Sequence, residues 1–338
     1  MAKILVTGGA GYIGSHTIVD LIEAGHEPIS IDNFLNSKPE ALEGIKSLTG
    51  KEIMNYPYDL CDQSLVRDVF RQHQDIEAVI HFAALKAVGE SVEKPLLYFR
   101  NNLNALLNVM EGVRQHSIPN FIFSSSCTVY GQATDLPVTE TTEMKDAESP
   151  YGRTKQIGEY IIQDLAKIWG CNVVSLRYFN PAGAHPSGLI GESAKVYAVN
   201  LVPVITETAI GKRDKCFVFG DDYDTRDGSC VRDYIHIMDL ANAHTKALSY
   251  LLNSQNEATY EVFNLGIGQG ATVLEVIRAF EKVTGLKLNY EIGPRRPGDV
   301  IAIYSNYKKA KQHLGWEPRF SVEDIMSSAW QWEQKRPY

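Results

Sequence analysis

Short apolar runs alternate with amphipathic helical patterns through the first half of the chain. Residues 3–7 form an apolar strand pattern, Ile18, Leu21 and Ile22 then recur at helical spacing, and residues 28–31 form the next apolar run. The alternation continues through the apolar stretches 78–84 and 121–123. Repeated strand–helix units predict an α/β fold with a Rossmann-type, doubly wound parallel sheet, which binds ligands at the carboxyl ends of its strands.

The alternation weakens after Asn180, where a glycine- and proline-rich stretch follows. Beyond it lie an apolar run at 201–210, a short strand at 217–220 and an amphipathic helix that opens at Asp239. We therefore predict a Rossmann domain over residues 1–180 and a smaller, mixed α/β substrate domain over residues 181–338.

A glycine turn directly follows the first strand. Gly8, Gly11 and Gly14 separate that strand from a helix, and the second strand ends in Asp32. Glycines let backbone N–H groups approach a pyrophosphate at the helix N-terminus, and the carboxylate accepts hydrogen bonds from an adenosine ribose. Because a carboxylate also repels a 2′-phosphate, the pattern predicts NAD rather than NADP.

Tyr151 and Lys155 are four residues apart in a predicted helix that starts at Pro150. Residues at this spacing share a helix face, so we expect the lysine ammonium near the phenol. A nearby cation favours the phenolate and lowers a pKa that is ordinarily about 10. The pair is therefore a candidate base for a sugar hydroxyl, and Ser126, at the end of a strand, is a candidate partner for the same hydroxyl.

Charge and cysteine content exclude several partners. The net charge is −8, which argues against nucleic acid or an anionic membrane as the main partner. The five cysteines show no metal-ligand spacing, so we predict reduced thiols, no metal and a cytoplasmic protein. No signal peptide is expected before the first strand, and no apolar run is long enough to span a bilayer.

The glycine turn, the triplet Ser124-Ser125-Ser126 and Tyr151-x-x-x-Lys155 together resemble the extended short-chain dehydrogenase/reductase superfamily. Further motifs narrow the resemblance to UDP-glucose (UDP-galactose) 4-epimerases over nearly the whole chain, and they span residues 81–91, 176–186, 231–236 and 295–299.

The resemblance implies an isomerase that binds NAD and a UDP-sugar. Tyr151 would remove the proton of the sugar 4-hydroxyl, Ser126 would align that hydroxyl, and Lys155 would hold the nicotinamide ribose. A homodimer is implied, built from helices equivalent to residues 96–116 and 151–169. Part of the segment 234–266 is expected to pack back on the first domain.

The implied cofactor site consists of Gly8, Gly11, Tyr12, Ile13, Gly14, Asp32, Asn33, Asp59, Leu60, Phe82, Ala83, Lys86, Asn101, Ser124, Tyr151, Lys155 and Tyr178. The implied substrate site consists of Lys86, Ser126, Asn180, Asn200, Leu201, Phe219, Arg232, Arg296, Asp299 and Ile303. Arg232 and Arg296 would supply the local positive charge that an acidic protein needs to hold a diphosphate.

Ile303 bears on the choice of sugar. In this family a bulky tyrosine at the matching position goes with glucose and galactose only, whereas a small residue also admits N-acetylated sugars. Ile303 therefore predicts activity on UDP-N-acetylglucosamine and UDP-N-acetylgalactosamine as well. In the alternative, the register slips by one and Tyr304 lines the pocket.

The same motifs are compatible with other functions on this fold. They are an epimerase restricted to one sugar pair, a nucleotide-sugar dehydratase or decarboxylase, a net dehydrogenase and a non-catalytic NAD-sensing protein. Dehydratases and decarboxylases of this superfamily carry an acidic residue directly after the strand-end Ser/Thr, and this chain has Cys127 there. NAD-sensing relatives usually lose the Tyr/Lys pair, which is present here.

Overall fold

The computed structural model describes residues 1–193, 198–296 and 299–336. Within them the main sheet has seven parallel strands in the order β11-β6-β5-β4-β1-β2-β3. These strands are β1 Lys3–Thr7, β2 Glu27–Ile31, β3 Asn55–Tyr56, β4 Ile76–His81, β5 Asn120–Ser126, β6 Asn172–Tyr178 and β11 Tyr260–Leu265. This is the doubly wound parallel α/β arrangement predicted from the alternating pattern.

Helices cover both faces of the sheet. They are α1 Tyr12–Glu23, α2 Glu40–Thr49, α3 Gln63–Gln72, α4 Val88–Glu93, α5 Pro95–Gln115, α6 Pro150–Trp169, α7 Leu201–Ala209, α8 Ile237–Leu252, α9 Val273–Thr284, α10 Lys308–Leu314 and α11 Val322–Lys335. No helix of the described ranges combines the length and the apolar character that crossing a bilayer would require.

Alternate residues of the central strand enter opposite cores. Ile4 and Val6 pack with α1 and α8 on one face, whereas Leu5 packs with α3, α5 and α6 on the other. Successive side chains of a strand point to opposite faces, so a strand covered on both sides must be apolar throughout. This explains why the strands are continuous apolar runs in the sequence.

Short strands and three helices form a second region with its own core. The remaining strands are β7 Asn180–Ala182, β8 Cys216–Phe219, β9 Val231–Arg232, β10 Tyr234–His236, β12 Ala271–Thr272, β13 Tyr290–Gly293 and β14 Ala302–Ile303. They pair as β12-β9-β14, β10-β7 and β13-β8, and α7, α9 and α11 supply most of this region's apolar core. Between these strands the chain returns to the main sheet, because α8 packs on α1 and β11 pairs with β6.

Several element boundaries differ from the sequence prediction. The strand expected over residues 78–84 is Ile76–His81. α3 begins at Gln63, because the Asp62 carboxylate accepts from the Ser64 and Leu65 N–H groups and caps the helix. The helix expected to open at Asp239 begins two residues earlier, after the His236 cap.

Candidate active site

The glycine turn forms an anion cradle at the carboxyl end of β1. Gly11 precedes α1, and no side chain of the described residues caps this helix N-terminus. A Cβ on Gly14 would stand 2.2 Å from the Gly8 carbonyl oxygen, and one on Gly8, which has a φ of +73°, would stand 3.0 Å from the Ala83 nitrogen. Only glycine fits these positions, and the uncapped N–H groups of the first helical turn suit a pyrophosphate.

Asp32 faces this turn from the end of β2. Its Oδ2 accepts from the Ala10 N–H at 3.0 Å, and its Oδ1 accepts from the Phe34 N–H at 2.9 Å and the Ser37 hydroxyl at 2.7 Å. A carboxylate offers about four acceptor positions, so a ribose hydroxyl can still bind. The chain's own residues therefore fit the adenosine half of NAD, with a negative charge where NADP carries its extra phosphate.

The other predicted cofactor residues lie along the same edge of the sheet. Asp59 and Leu60 follow β3, and Phe82 and Ala83 follow β4. The Cys61 thiol lies 3.6 Å from the Asn101 carbonyl oxygen, which brings the segment after β3 against α5. The Asn33 Oδ1 accepts from the Leu35 N–H at 3.0 Å. The Tyr12 hydroxyl donates to the Gly183 carbonyl at 2.6 Å and so ties α1, which includes Ile13, to the loop after β7.

The predicted catalytic pair lies at the start of α6. Ser149 caps this helix by accepting from the Gly152 N–H at 3.1 Å, and Pro150 occupies its first turn. Tyr151 and Lys155 are both buried, and the Lys155 Nζ lies 5.9 Å from the centre of the Tyr151 ring. The same Nζ donates to the Ser124 carbonyl oxygen at 2.6 Å, so the lysine binds the end of β5.

The pKa of Tyr151 moves opposite to the sequence expectation. Burial raises it well above the ordinary value, the nearby Tyr178 raises it further, and a hydrogen bond with Ser126 lowers it. Burial also lowers the pKa of Lys155 to about 8, against an opposing effect of Glu159. Loss of water around the phenol outweighs the bond with Ser126, so Tyr151 needs positive charge nearby to act as a base.

Ser124 and Ser126, at the end of β5, face the same space as Tyr151. Ser124 and Tyr178 share a short hydrogen bond between their hydroxyls. The Ser126 Oγ accepts from the Thr128 N–H at 3.2 Å, which caps the 3₁₀ turn Cys127–Tyr130. Ser126 and Tyr178 are paired residues of the β5–β6 ladder, so both strand ends reach the pocket of Tyr151.

Two arginines and one carboxylate of the predicted substrate site meet in the structure. Asp299 Oδ1 lies 3.5 Å from the Arg232 Nη2 and 2.8 Å from the Arg296 Nη2. The Arg296 guanidinium also lies over the Phe219 ring, 5.3 Å from its centre. Two cations against one carboxylate leave a local positive charge that suits a diphosphate. Pro297 and Gly298 of this motif lie outside the described residues.

Ile303 is buried against the residues that directly follow β5 and β6. It packs with Cys127 and Phe179, the residues that follow Ser126 and Tyr178, and it pairs with Arg232 in the β14–β9 ladder. Tyr304 lines an open cleft of about 850 Å³ together with Val231 and Ala302, on the opposite face of these strands.

Glu192 binds both Lys86 and Asn200, and the sequence analysis did not predict it as a site residue. The Glu192 Oε1 accepts from the Lys86 Nζ at 3.1 Å and from the Asn200 amide at 2.8 Å. Asn200 precedes α7, which begins at Leu201, and Asn180 opens β7 by donating its N–H to the Asp233 carbonyl at 2.9 Å. No local sequence pattern marks Glu192 as a site residue, because its partner Lys86 lies 106 residues earlier in the chain.

Asn102 was also missed. Its side chain bonds both backbone groups of Leu85, at 2.8 and 3.0 Å, and donates to the Thr154 hydroxyl at 3.1 Å. It thereby ties the segment that carries Lys86 to the helix that carries Tyr151. The sequence feature that could have indicated Asn102 is the polar Asn101-Asn102 doublet inside an amphipathic helix.

In the part of the chain that the structure describes, no cluster of three or more His, Cys, Asp or Glu side chains is arranged to hold a metal ion.

Known proteins share this sequence and architecture. The family model described as GDP-mannose 4,6 dehydratase matches residues 5–329. A UDP-glucose 4-epimerase from Bacillus subtilis (strain 168) is 47% identical over 333 residues, which cover 98% of this chain and 96% of that protein.

Solved structures agree with these matches. A UDP-glucose 4-epimerase from Bifidobacterium longum, in complex with NAD+ and UDP, superimposes with a TM-score of 0.94 at 44% identity and covers 99% of both chains. A UDP-Glc/GlcNAc 4-epimerase from Campylobacter jejuni superimposes with a TM-score of 0.85 at 38% identity, over 99% of this chain and 100% of that one.

Proposed function

This chain belongs to the UDP-glucose 4-epimerase family of the extended short-chain dehydrogenases/reductases, and we propose that it interconverts UDP-glucose and UDP-galactose with NAD as cofactor. The observation that carries the proposal is the position of Tyr151, which lies with Lys155 and Ser126 at the carboxyl edge of the sheet, on the same edge as the glycine cradle.

NAD, when bound, supplies a hydride acceptor for the sugar C4 and a positive charge beside the phenol. The chain's own residues transfer the proton, align the sugar hydroxyl and hold the cofactor. Tyr151 takes the proton of the 4-hydroxyl through its phenol oxygen, and Ser126, which lies beside that phenol, aligns the hydroxyl. Lys155, anchored on Ser124, presents its remaining N–H groups to the cofactor ribose.

Epimerisation requires the 4-keto sugar to present its other face before reduction. Arg232 and Arg296 anchor the diphosphate through bidentate bonds, whereas the sugar meets the apolar surface of Ile303 and Phe179. Binding energy concentrated on the nucleotide leaves the sugar free to turn about its bond to the diphosphate. Tyr151 then returns the proton to the sugar O4 as the 4-keto group is reduced from its other face, which gives the opposite epimer.

The decisive experiment is incubation of the purified protein with UDP-galactose and no added NAD. We expect UDP-glucose to form to the equilibrium ratio without a net change in absorbance at the nicotinamide wavelength. Continuous NADH formation that depends on added NAD would instead indicate a net dehydrogenase. Loss of water from the sugar, seen by mass spectrometry, would indicate a dehydratase, which Cys127 after Ser126 disfavours.

We also propose that UDP-N-acetylglucosamine and UDP-N-acetylgalactosamine are substrates. The support is Ile303, whose side chain shares an apolar cluster with Cys127 and Phe179, while Tyr304 faces the cleft on the other side. An isoleucine at this position is smaller than tyrosine and leaves room for an acetamido group at C2.

We propose a cytoplasmic homodimer that pairs through α5 and α6. Large apolar side chains are exposed on these helices, among them Leu96 at 66%, Tyr160 at 54% and Ile168 at 73%. Exposed apolar surface on adjacent helices favours association. The cytoplasm suits the five cysteines, which are all free. The division into an NAD-binding domain (1–180) and a UDP-sugar-binding domain (181–338) is likewise a proposal.

A further inference from the structure

A buried ion pair lies behind the catalytic residues. Glu159 stands one helical turn beyond Lys155 on α6, and Arg177 directly precedes Tyr178 on β6. The Arg177 Nε lies 2.9 Å from the Glu159 Oε1, and the Nη2 lies 2.5 Å from the Oε2. The two side chains are 6% and 2% exposed. An apolar pair of similar volume would stabilise such a site as well or better, so stability alone does not account for these charges.

The pair is the centre of a hydrogen-bond network that joins several elements. The Ser125 hydroxyl of β5 donates a short bond to the Glu159 carboxylate, and the Tyr260 hydroxyl of β11 donates to it at 3.4 Å. The Arg177 Nη1 donates at 3.1 Å to the hydroxyl of Tyr130, the last residue of the 3₁₀ turn that Ser126 caps. One carboxylate and one guanidinium thus connect α6 to β5, β6 and β11.

Ser125, Arg177 and Glu159 are each near neighbours of a predicted site residue. Ser125 lies between Ser124 and Ser126, and it is paired with Arg177 in the β5–β6 ladder. Because strand side chains alternate, Ser125 and Arg177 point towards α6, whereas Ser124, Ser126 and Tyr178 point to the opposite face, where the site lies. Glu159 binds this reverse face from the helix that carries Tyr151 and Lys155.

We propose that Glu159 and Arg177 are positioning residues for the reaction: they fix the rotation and height of α6 against β5 and β6, so that Tyr151 and Lys155 meet the end of β5. Apolar contacts between a helix and a sheet are non-directional, whereas two parallel charge-assisted hydrogen bonds define one geometry. The contact set by this geometry is the 2.6 Å bond from Lys155 to the Ser124 carbonyl. The inference rests on the proposed 4-epimerase function.

The test replaces the pair without leaving an unpaired buried charge. In Glu159→Gln/Arg177→Met both groups become neutral at similar volume. We expect kcat for UDP-galactose to fall about tenfold to a hundredfold, because a displacement of about 1 Å at reacting groups has an effect of this size. We expect the KM for UDP-galactose to change less than about threefold, because the residues that hold UDP lie elsewhere. Retained NAD per chain should be unchanged.

The matched control is Glu261→Gln. Glu261 is also a buried glutamate of this fold, and it accepts from the Tyr250 hydroxyl at 2.9 Å and from the Glu257 N–H at 3.2 Å, away from the site. It should lower the melting temperature while kcat stays within about twofold of the wild type. A double variant that folds and keeps kcat within about threefold, or an equal kcat loss in the control, would overturn the proposal.

A third variant covers the case in which the double variant does not fold. Ser125→Ala removes one bond to Glu159 and leaves the ion pair intact. It should lower kcat about threefold or more at unchanged KM, and an unchanged kcat would refute the positioning role. A wild-type protein that does not epimerise UDP-galactose would refute the proposed function instead, so the two failures are distinguishable.

Discussion

Acid should destabilise this protein through its buried histidines before its carboxylates titrate. Burial lowers the pKa of His16 and His81 to about 3 and that of His236 and His244 to about 4. In the unfolded chain each imidazole has a pKa of about 6.5. Above that value both states are neutral and the histidines contribute no pH dependence. As the pH falls below it the unfolded state takes up protons that the folded state cannot bind, so the stability falls.

The magnitude follows from these values. At about pH 5.5 protonation of the unfolded state lowers its free energy by about 1.4 kcal/mol for each histidine. Four histidines together remove about 5 to 6 kcal/mol, a large part of the roughly 5–15 kcal/mol by which a typical protein is stable. Burial raises the pKa of Asp20 and Asp233, an effect of opposite sign that reduces this loss.

The assay is urea unfolding followed by tryptophan fluorescence at pH 7.5, 6.5 and 5.5, with protein and cofactor concentrations held constant. His244→Gln is the informative variant, because the Nε2 of His244 is buried without a hydrogen-bond partner among the described residues. It should recover about 1.4 kcal/mol of the loss between pH 7.5 and 5.5. The reasoning would be refuted if the wild type lost less than about 1 kcal/mol of its free energy of unfolding between pH 7.5 and 5.5, or if His244→Gln lost as much as the wild type.

Three further predictions concern the site. Tyr151→Phe should lower epimerase turnover by at least about a hundredfold while NAD and UDP stay bound, since only the proton acceptor is lost; near-normal turnover would contradict its role. Asp32→Asn keeps an acceptor oxygen but removes the charge, so competition binding should show a smaller preference for NAD over NADP. A wild-type protein that releases mainly NADP on extraction would rule out this interpretation. Ile303→Tyr should suppress turnover of UDP-N-acetylgalactosamine and spare UDP-galactose, with a discrimination of about 1–3 kcal/mol in kcat/KM; equal loss on both sugars would count against it.

The local motifs were readable from the sequence because short-range geometry defines them. The strand, glycine turn, helix and Asp32 follow one another within the first 32 residues, and their backbone requirements do not depend on distant contacts. Tyr151 and Lys155 share a helix face by spacing alone. The parallel sheet followed from apolar strands that alternate with helices, and its strand ends defined where the site had to be.

The protonation behaviour of Tyr151 and the ion pairs that hold the site residues in place could be determined only from the tertiary structure. The sequence predicted a lowered pKa for Tyr151, and the burial supplied by distant elements reverses that direction. Glu192 meets Lys86 across 106 residues, and Arg177 meets Glu159 between a strand and a helix. Desolvation and ion pairing depend on which surfaces the fold brings together, and spacing along the chain does not encode that for residues so far apart.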